Sequence, residues 1–395
     1  MGEVKPIIKY IIENNKKLQE RGQYPVTIGI EGGAGIGKTS LLDTIAKELD
    51  CNYISINLSN ITEPSDLVGY PIKEHYCCKG DECKWVPSEL LESFAKAGWE
   101  MTEETRMSYA IPSWLKDIDL SKPTILNMDD FSRCQPTVNQ AVMSLTSRQE
   151  YISWKLPKNS TIVLSSNPDN GEYQVTSMDQ AQKSRYINFK VKFDIDSWAD
   201  WAERAGIDGR AINFLIQNWR ELMDNSKGES KVNARNFTMF ANTISGIPEW
   251  NKTESLALIL QIASGCFLDD DDVVGSLFTT FINNKLDRLL TPEEIATKDW
   301  KWLKSKFIEQ VYDGDQYRAD IASILTTRFM NFSKVWFDDG KDPDVIVNRI
   351  IEIVKSDKMI LSEDLIFAMT KELYNYNRAK CRKMLQCPEL IKKLI

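Results

Sequence analysis

The sequence predicts an α/β fold: a parallel sheet covered by helices, then a small helical lid and a C-terminal helical region. Three observations lead there. Four short β-rich apolar runs alternate with helix-patterned segments through the first half of the chain. A glycine-rich octapeptide, Gly32-Gly33-Ala34-Gly35-Ile36-Gly37-Lys38-Thr39, stands between the first run and a helix. From about Asp196 strand-like runs nearly vanish, and amphipathic helical segments continue to the end.

In chain order, residues 5–22 read as a helix, with Ile7, Ile8, Tyr10, Ile11 and Leu18 near helical spacing. Val26–Ile30 is the first strand-like run and ends at the glycine loop; Thr39–Leu49 continues as a helix. Tyr53–Asn57 is the second run. Thr124–Met128 is the third and ends in Asp129-Asp130; Thr161–Ser165 is the fourth and ends at Asn167-Pro168. Apolar strands alternating with helices imply a parallel sheet buried on both faces. Ligands of such sheets sit at the carboxyl ends of the strands, where the glycine loop, the acidic pair and Asn167 all fall. Further on, Gly206–Gly209 and Asn225–Ser230 read as loops, and Asp269–Asp272 as a solvated helix start rather than a calcium loop. Val345–Ile353 and Leu365–Met369 carry helical patterns, the latter after a capping turn at Leu361–Asp364.

Length and charge narrow the class. At 395 residues the chain exceeds one ordinary core. A net charge of −8 argues against a general nucleic-acid coat. No apolar run reaches the ~18 residues of a bilayer span. The first residues show no secretory pattern, and Pro6 stands where a myristoylation signal wants Ser or Thr, so a cytoplasmic protein is expected. Cys51, Cys134 and Cys266 read as small core residues, and Cys381 and Cys387 lie in or near a C-terminal helix. His75, Cys77, Cys78 and Cys83 gather four soft ligands within nine positions. Their spacing is cramped for a zinc tetrahedron, so a surface insertion with free thiols is expected over zinc.

The octapeptide is the Walker A pattern. Its backbone N–H groups converge on phosphate oxygens, with Gly32, Gly35 and Gly37 supplying unusual dihedrals and close approach. Gly33, Ala34, Ile36 and Ser40 complete the expected ATP-binding set. Lys38 would reach the β- and γ-phosphates, and the Thr39 hydroxyl would ligate Mg²⁺. Asp129 would hold Mg²⁺ through water as the Walker B acid, and Asp130 would polarise the attacking water. Asn167 would orient water or sense hydrolysis beside the γ-phosphate.

From about Val26 to Phe240 the chain resembles the MoxR-type branch of AAA+ ATPases. The resemblance rests on Ser65-Asp66-Leu67-Val68-Gly69, on Tyr109–Leu115 and above all on Leu126–Pro136, which is similar to that family's Walker B segment. Val138–Leu145 with Arg148-Gln149 resembles the helix that follows, Ser165–Pro168 the sensor 1 strand end, and Asp179–Tyr186 the segment carrying an inter-subunit arginine. Asp196–Ala202, with its tryptophans, resembles a subgroup often encoded beside von Willebrand factor A-domain proteins, and Val232–Phe237 the sensor 2 segment. The resemblance implies that Arg185 acts on a neighbouring subunit's site, that Arg235 contacts nucleotide from the lid, and that Arg148 and Arg133 face the interface. Two departures stand out: Asp130 replaces the usual Glu, implying slower hydrolysis, and Tyr186 replaces Phe.

The expected organisation is therefore an AAA+ nucleotide-binding domain at 1–195, a lid at 196–255 and a C-terminal helical region at 256–395 whose role the sequence leaves open. The expected function is a Mg²⁺-dependent, chaperone-like ATPase in a closed ring, a hexamer, that remodels or activates a client protein. A von Willebrand factor A-domain protein is one candidate client. A DNA-directed motor or loader and a slow-turnover, ATP-gated scaffold are the alternatives.

Overall fold

In the computed structural model, which describes residues 3–169, 180–223, 232–268 and 273–390, the four apolar runs become strands of one parallel sheet. Two units form, Met1–Lys192 and Phe193–Ile395. The first begins with α1 (Val4–Glu20), β1 (Thr27–Glu31), α2 (Lys38–Glu48), β2 (Asn52–Asn57) and α3 (Pro64–Val68). A segment of different character follows: β3 (Pro71–Lys79), β4 (Glu82–Pro87), α4 (Leu91–Lys96) and β5 (Glu100–Tyr109). Next come β6 (Thr124–Asp129), α5 (Pro136–Arg148), the two-residue strands β7 (Glu150–Tyr151) and β8 (Trp154–Lys155), β9 (Ser160–Ser166), α6 (Gln180–Lys183) and β10 (Tyr186–Lys190).

The main sheet runs β10-β1-β9-β6-β2, parallel throughout. Its central strands are buried on both faces, as a parallel sheet covered by helices requires. Ile28, Ile30, Ile125 and Val163 pack with Ile8, Ile12, Leu42 and Ile45 of α1 and α2. On the other face Leu126, Met128, Ile162 and Leu164 pack with Leu67, Val138, Val142 and Leu145 of α3 and α5. Side chains of alternating residues thus divide cleanly between the two helical layers. The edge strand β10 was not legible as a strand; Tyr186 packs so closely on β1 that a Cβ at Gly29 would lie 2.6 Å from its ring.

The segment between β2 and β6 forms an antiparallel sheet of order β4-β3-β5. Cation–aromatic contacts cover part of it. The Arg106 guanidinium stands 4.5 Å above the Trp85 ring, the Lys84 ammonium stands 4.1 Å from the Trp99 ring, and Tyr76 and Trp85 are 4.9 Å apart. The register places Cys78 directly opposite Cys83, and the two form a disulfide. This corrects the expectation of free thiols there. Cys77 is a buried free thiol, and adjacent strand residues point to opposite faces, so it does not join Cys78 in a tetrahedral set. Among the described residues no group of three or more His, Cys, Asp or Glu is placed to hold a metal, His75 with Cys77, Cys78 and Cys83 included.

The second unit is almost wholly helical: α7 (Ile195–Arg204), α8 (Gly209–Leu222), α9 (Ala234–Ile244), α10 (Thr253–Phe267), α11 (Val273–Asn283), α12 (Pro292–Thr297), α13 (Trp300–Val311), α14 (Ala319–Asp338), α15 (Pro343–Val354) and α16 (Glu363–Tyr376). One buried cluster runs from Trp198 to Leu390, so residues 196–255 and 256–395 share a core. Within it Arg328, 7% exposed, pairs with Glu203 at 2.6 Å. Ser362 caps α16 by accepting from the Leu365 N–H. The expected loop at Asn225–Ser230 and the acidic run Asp269–Asp272 lie outside the described residues, as does Asp179. No helix among the described residues is long and apolar enough to cross a membrane.

Gly69 ends α3 with φ +88° and ψ 164°, a region open essentially to glycine alone, and a Cβ there would lie 1.8 Å from the Ala110 carbonyl oxygen. Gly22 has φ +74° with open space around it. Gly22→Ala is therefore expected to cost about 1 kcal/mol and Gly69→Ala about 3 kcal/mol or more in urea unfolding. Equal losses contradict the assigned packing of the α3–β5 corner.

Candidate functional site

The glycine loop leaves β1 and enters α2 at the carboxyl edge of the sheet. Two of its residues need left-handed backbone: Gly35 at φ +71° and Gly37 at φ +100°. Gly32 is needed for a different reason. A Cβ there would meet the Val191 carbonyl oxygen at 2.6 Å, so only glycine lets the loop lie against the end of β10. The loop is tied to β9 by the Gly32 N–H donating to the Ser166 carbonyl at 3.1 Å. The first turn of α2, whose N–H groups lack intrahelical acceptors, sits at the loop with the positive end of the helix dipole. That is the arrangement an anion requires.

Lys38, 9% exposed, lies back along the loop. Its ammonium donates to the Gly32 carbonyl at 2.7 Å, the Gly33 carbonyl at 2.9 Å and Asn167 Oδ1 at 3.1 Å. Asn167 is buried just past β9, and its own N–H donates to Ser132 Oγ at 3.1 Å. Its side-chain amide donates in turn to Asp130 Oδ1 at 3.3 Å. One asparagine thus links the loop's cation to the candidate water-polarising acid.

At the end of β6, Asp129 Oδ2 accepts from the Thr39 hydroxyl at 3.2 Å, and Asp129 Oδ1 from the Asp130 N–H at 3.1 Å. A carboxylate and a hydroxyl so placed beside a phosphate cradle are the oxygen donors Mg²⁺ takes, so the residues present fit the ion. Asp130 adopts φ +54°, ψ +34°, a left-handed conformation that Asp tolerates better than most residues. Its Oδ2 lies 3.7 Å from the half-exposed Arg133 guanidinium. Cys134 follows, buried; burial pushes its thiol up to about 11, so it stays protonated at neutral pH.

The loop, Asp129, Asp130 and Asn167 are therefore brought together, as their sequence positions implied. Of the arginines, Arg133 stands beside Asp130. Arg185 is exposed, its guanidinium reaching back to the Met143 carbonyl of α5 at 3.5 Å. Arg148 is exposed in the last turn of α5. Ser40 is exposed one residue past Thr39, its carbonyl accepting from the Thr44 hydroxyl at 2.8 Å. Arg235 is exposed in the first turn of α9, in the second unit, where Asn233 accepts from its N–H at 3.0 Å. Sequence reasoning missed Ser132, which fixes Asn167, and a polar row beneath the site made of buried Asn127 and Ser165 with half-buried Tyr53 and exposed Ser55. The visible signal was a lone asparagine inside the apolar run Thr124–Met128.

Residues 28–186 match the family profile of the AAA domain, dynein-related subfamily. The match covers this segment and not the chain as a whole. A stretch of 98 residues is 30% identical to part of midasin from Dictyostelium discoideum; it spans 24% of this chain and 2% of the length of that protein. Among solved structures, the Thermotoga maritima RuvB Holliday junction branch migration motor aligns at 14% identity, covering 71% of this chain and 81% of that one, with a TM-score of 0.31. A point mutant of the same Thermotoga maritima RuvB aligns at 14% identity over 71% and 81%, with a TM-score of 0.33.

Lys38→Ala is expected to weaken nucleotide binding at least about a hundredfold, since a charge-assisted contact to phosphate is lost from a buried position. Isothermal titration with ADP and ATP checks this, and unchanged affinity contradicts the assignment of the loop.

Proposed function

We propose that this chain, whose residues 28–186 form an AAA+ domain, is a Mg²⁺-dependent ATPase of the MoxR-like kind that assembles into a closed hexameric ring and remodels or activates a client protein. The observation that carries the ATPase reading is the bridge made by Asn167, which contacts Lys38 on one side and Asp130 on the other. A phosphate-binding cation, a metal-binding pair and a carboxylate within reach of one sensor side chain are the parts phosphoryl transfer to water needs.

In this reading the loop N–H groups and Lys38 bind the phosphates, and Lys38 exchanges the Gly32 and Gly33 carbonyls for phosphate oxygens. Thr39 and Asp129 would hold Mg²⁺, which when bound neutralises charge on the β- and γ-phosphates. Asp130 orients the attacking water and accepts its proton at Oδ1 or Oδ2. Asn167 keeps Asp130 and Lys38 in register. Arg185, exposed at the end of α6, is the residue we assign to the neighbour's site, and Arg235 to the nucleotide from residues 196–255 as lid. An arginine supplied in trans requires head-to-tail neighbours, and these close into a ring. The slow-turnover scaffold is favoured by one observation: Asp130 is a short carboxylate already engaged by Arg133 and Asn167.

Arg185→Ala is expected to lower kcat about a hundredfold or more while nucleotide affinity holds. Mixing it with inactive Lys38→Ala restores part of the turnover, because one subunit then supplies the loop and the other the arginine. Specific activity of the unaltered protein rises with its concentration. No restoration, together with activity flat from dilute to concentrated protein, contradicts the shared site. Steep, salt-sensitive stimulation by DNA would instead favour a DNA motor.

A further inference from the structure

The polar row beneath the site has no part in the phosphate chemistry as described. Asn127 is fully buried in β6, two residues before Asp129, on the face covered by α1 and α2. Its Oδ1 accepts from the Ser165 hydroxyl at 2.8 Å, and Ser165 precedes Asn167 by two residues on β9. Its Nδ2 donates to Ser55 Oγ at 3.0 Å and to the Tyr53 hydroxyl at 3.4 Å, both on β2. The Tyr53 hydroxyl donates onward to the Thr39 carbonyl at 3.3 Å.

Side chains two apart on a strand share a face, so Asn127 lies one pleat below Asp129 and Ser165 one pleat below Asn167. The chain of hydrogen bonds therefore indexes three things to one another: the strand ending in Asp129, the strand ending in Asn167, and the helix turn bearing Thr39.

We propose that Tyr53 and Asn127 are positioning residues for Mg²⁺-nucleotide: they hold the Thr39 hydroxyl against Asp129, and both against Asn167. This inference rests on the ATPase reading. The alternative is that the row merely satisfies buried polar groups, as Asn15 does at the opposite end of the same face by donating to Thr161 Oγ1 at 3.0 Å and the Val26 carbonyl at 2.9 Å. The two differ in what they predict for the metal.

The test compares Tyr53→Phe and Asn127→Leu with Asn15→Leu in the full chain. The readouts are the affinity of a fluorescent ATP analogue with and without Mg²⁺, the Mg²⁺ dependence of turnover, and the melting temperature. Tyr53→Phe is expected to raise the Mg²⁺ concentration for half-maximal tight binding about fivefold and to lower kcat, with metal-free affinity unchanged. Asn127→Leu moves the same quantities further. Asn15→Leu lowers the melting temperature and leaves Mg²⁺ dependence alone. Mg²⁺ dependence unchanged in Tyr53→Phe, or shifted equally in Asn15→Leu, overturns the positioning role while the ATPase reading stands. If the unaltered protein itself shows no Mg²⁺-dependent nucleotide binding, that reading falls, and this inference with it.

Discussion

The carboxyl ends of β1, β6 and β9 are held together by one small knot. The Lys38 ammonium is shared by the Gly32 and Gly33 carbonyls and by Asn167, which in turn holds Asp130. A cation of this kind is stable away from water only when its hydrogens are met by oxygens, and here the loop after β1 and the residue after β9 supply them. The glycine loop is consequently closed by its own lysine, with Ile36 packed against the apolar cluster beside it. In the proposed function the same carbonyls and amide would release the ammonium to phosphate oxygens, so the bond that orders the loop would also prepare it for a ligand.

That knot explains why particular residues cannot vary locally. Gly32 must lack a Cβ so that the loop can lie on Val191, and Asp130 must accept left-handed backbone so that its carboxylate turns back toward Asn167. Ser132, placed by the short turn after Asp130, fixes the Asn167 backbone at 3.1 Å. Below them the Tyr53–Asn127–Ser165 row sets the depth of each strand end. The site is thus supported from beneath by polar contacts in a sheet whose remaining interior is largely apolar.

How much of this could be read from sequence depended on burial. The strands at Thr27–Glu31, Thr124–Asp129 and Ser160–Ser166 are covered on both faces, so their β-branched apolar runs announced them, whereas the edge strand Asn52–Asn57 showed itself by alternation of Tyr53, Ser55 and Asn57 with Ile54 and Ile56. The order of functional groups along the chain then placed the loop, Asp129, Asp130 and Asn167 at one edge. The antiparallel sheet at Pro71–Tyr109 was not legible, because β4 and β5 are largely exposed and charged and are held in part by cation–aromatic contacts. The Cys78–Cys83 disulfide needed the hairpin register, which nothing in the local spacing of cysteines reveals. Asn127 was visible as an oddity, but its meaning lay in Ser165 and Tyr53, which are far away in sequence.

The most direct test of the central claim is a structure of the protein with Mg²⁺ and a non-hydrolysable ATP analogue. The account predicts the phosphates on the loop, the Lys38 ammonium moved from the Gly32 and Gly33 carbonyls onto phosphate oxygens, and the metal beside Thr39 and Asp129. A nucleotide bound elsewhere, or Lys38 still on the loop carbonyls with nucleotide present, would contradict it.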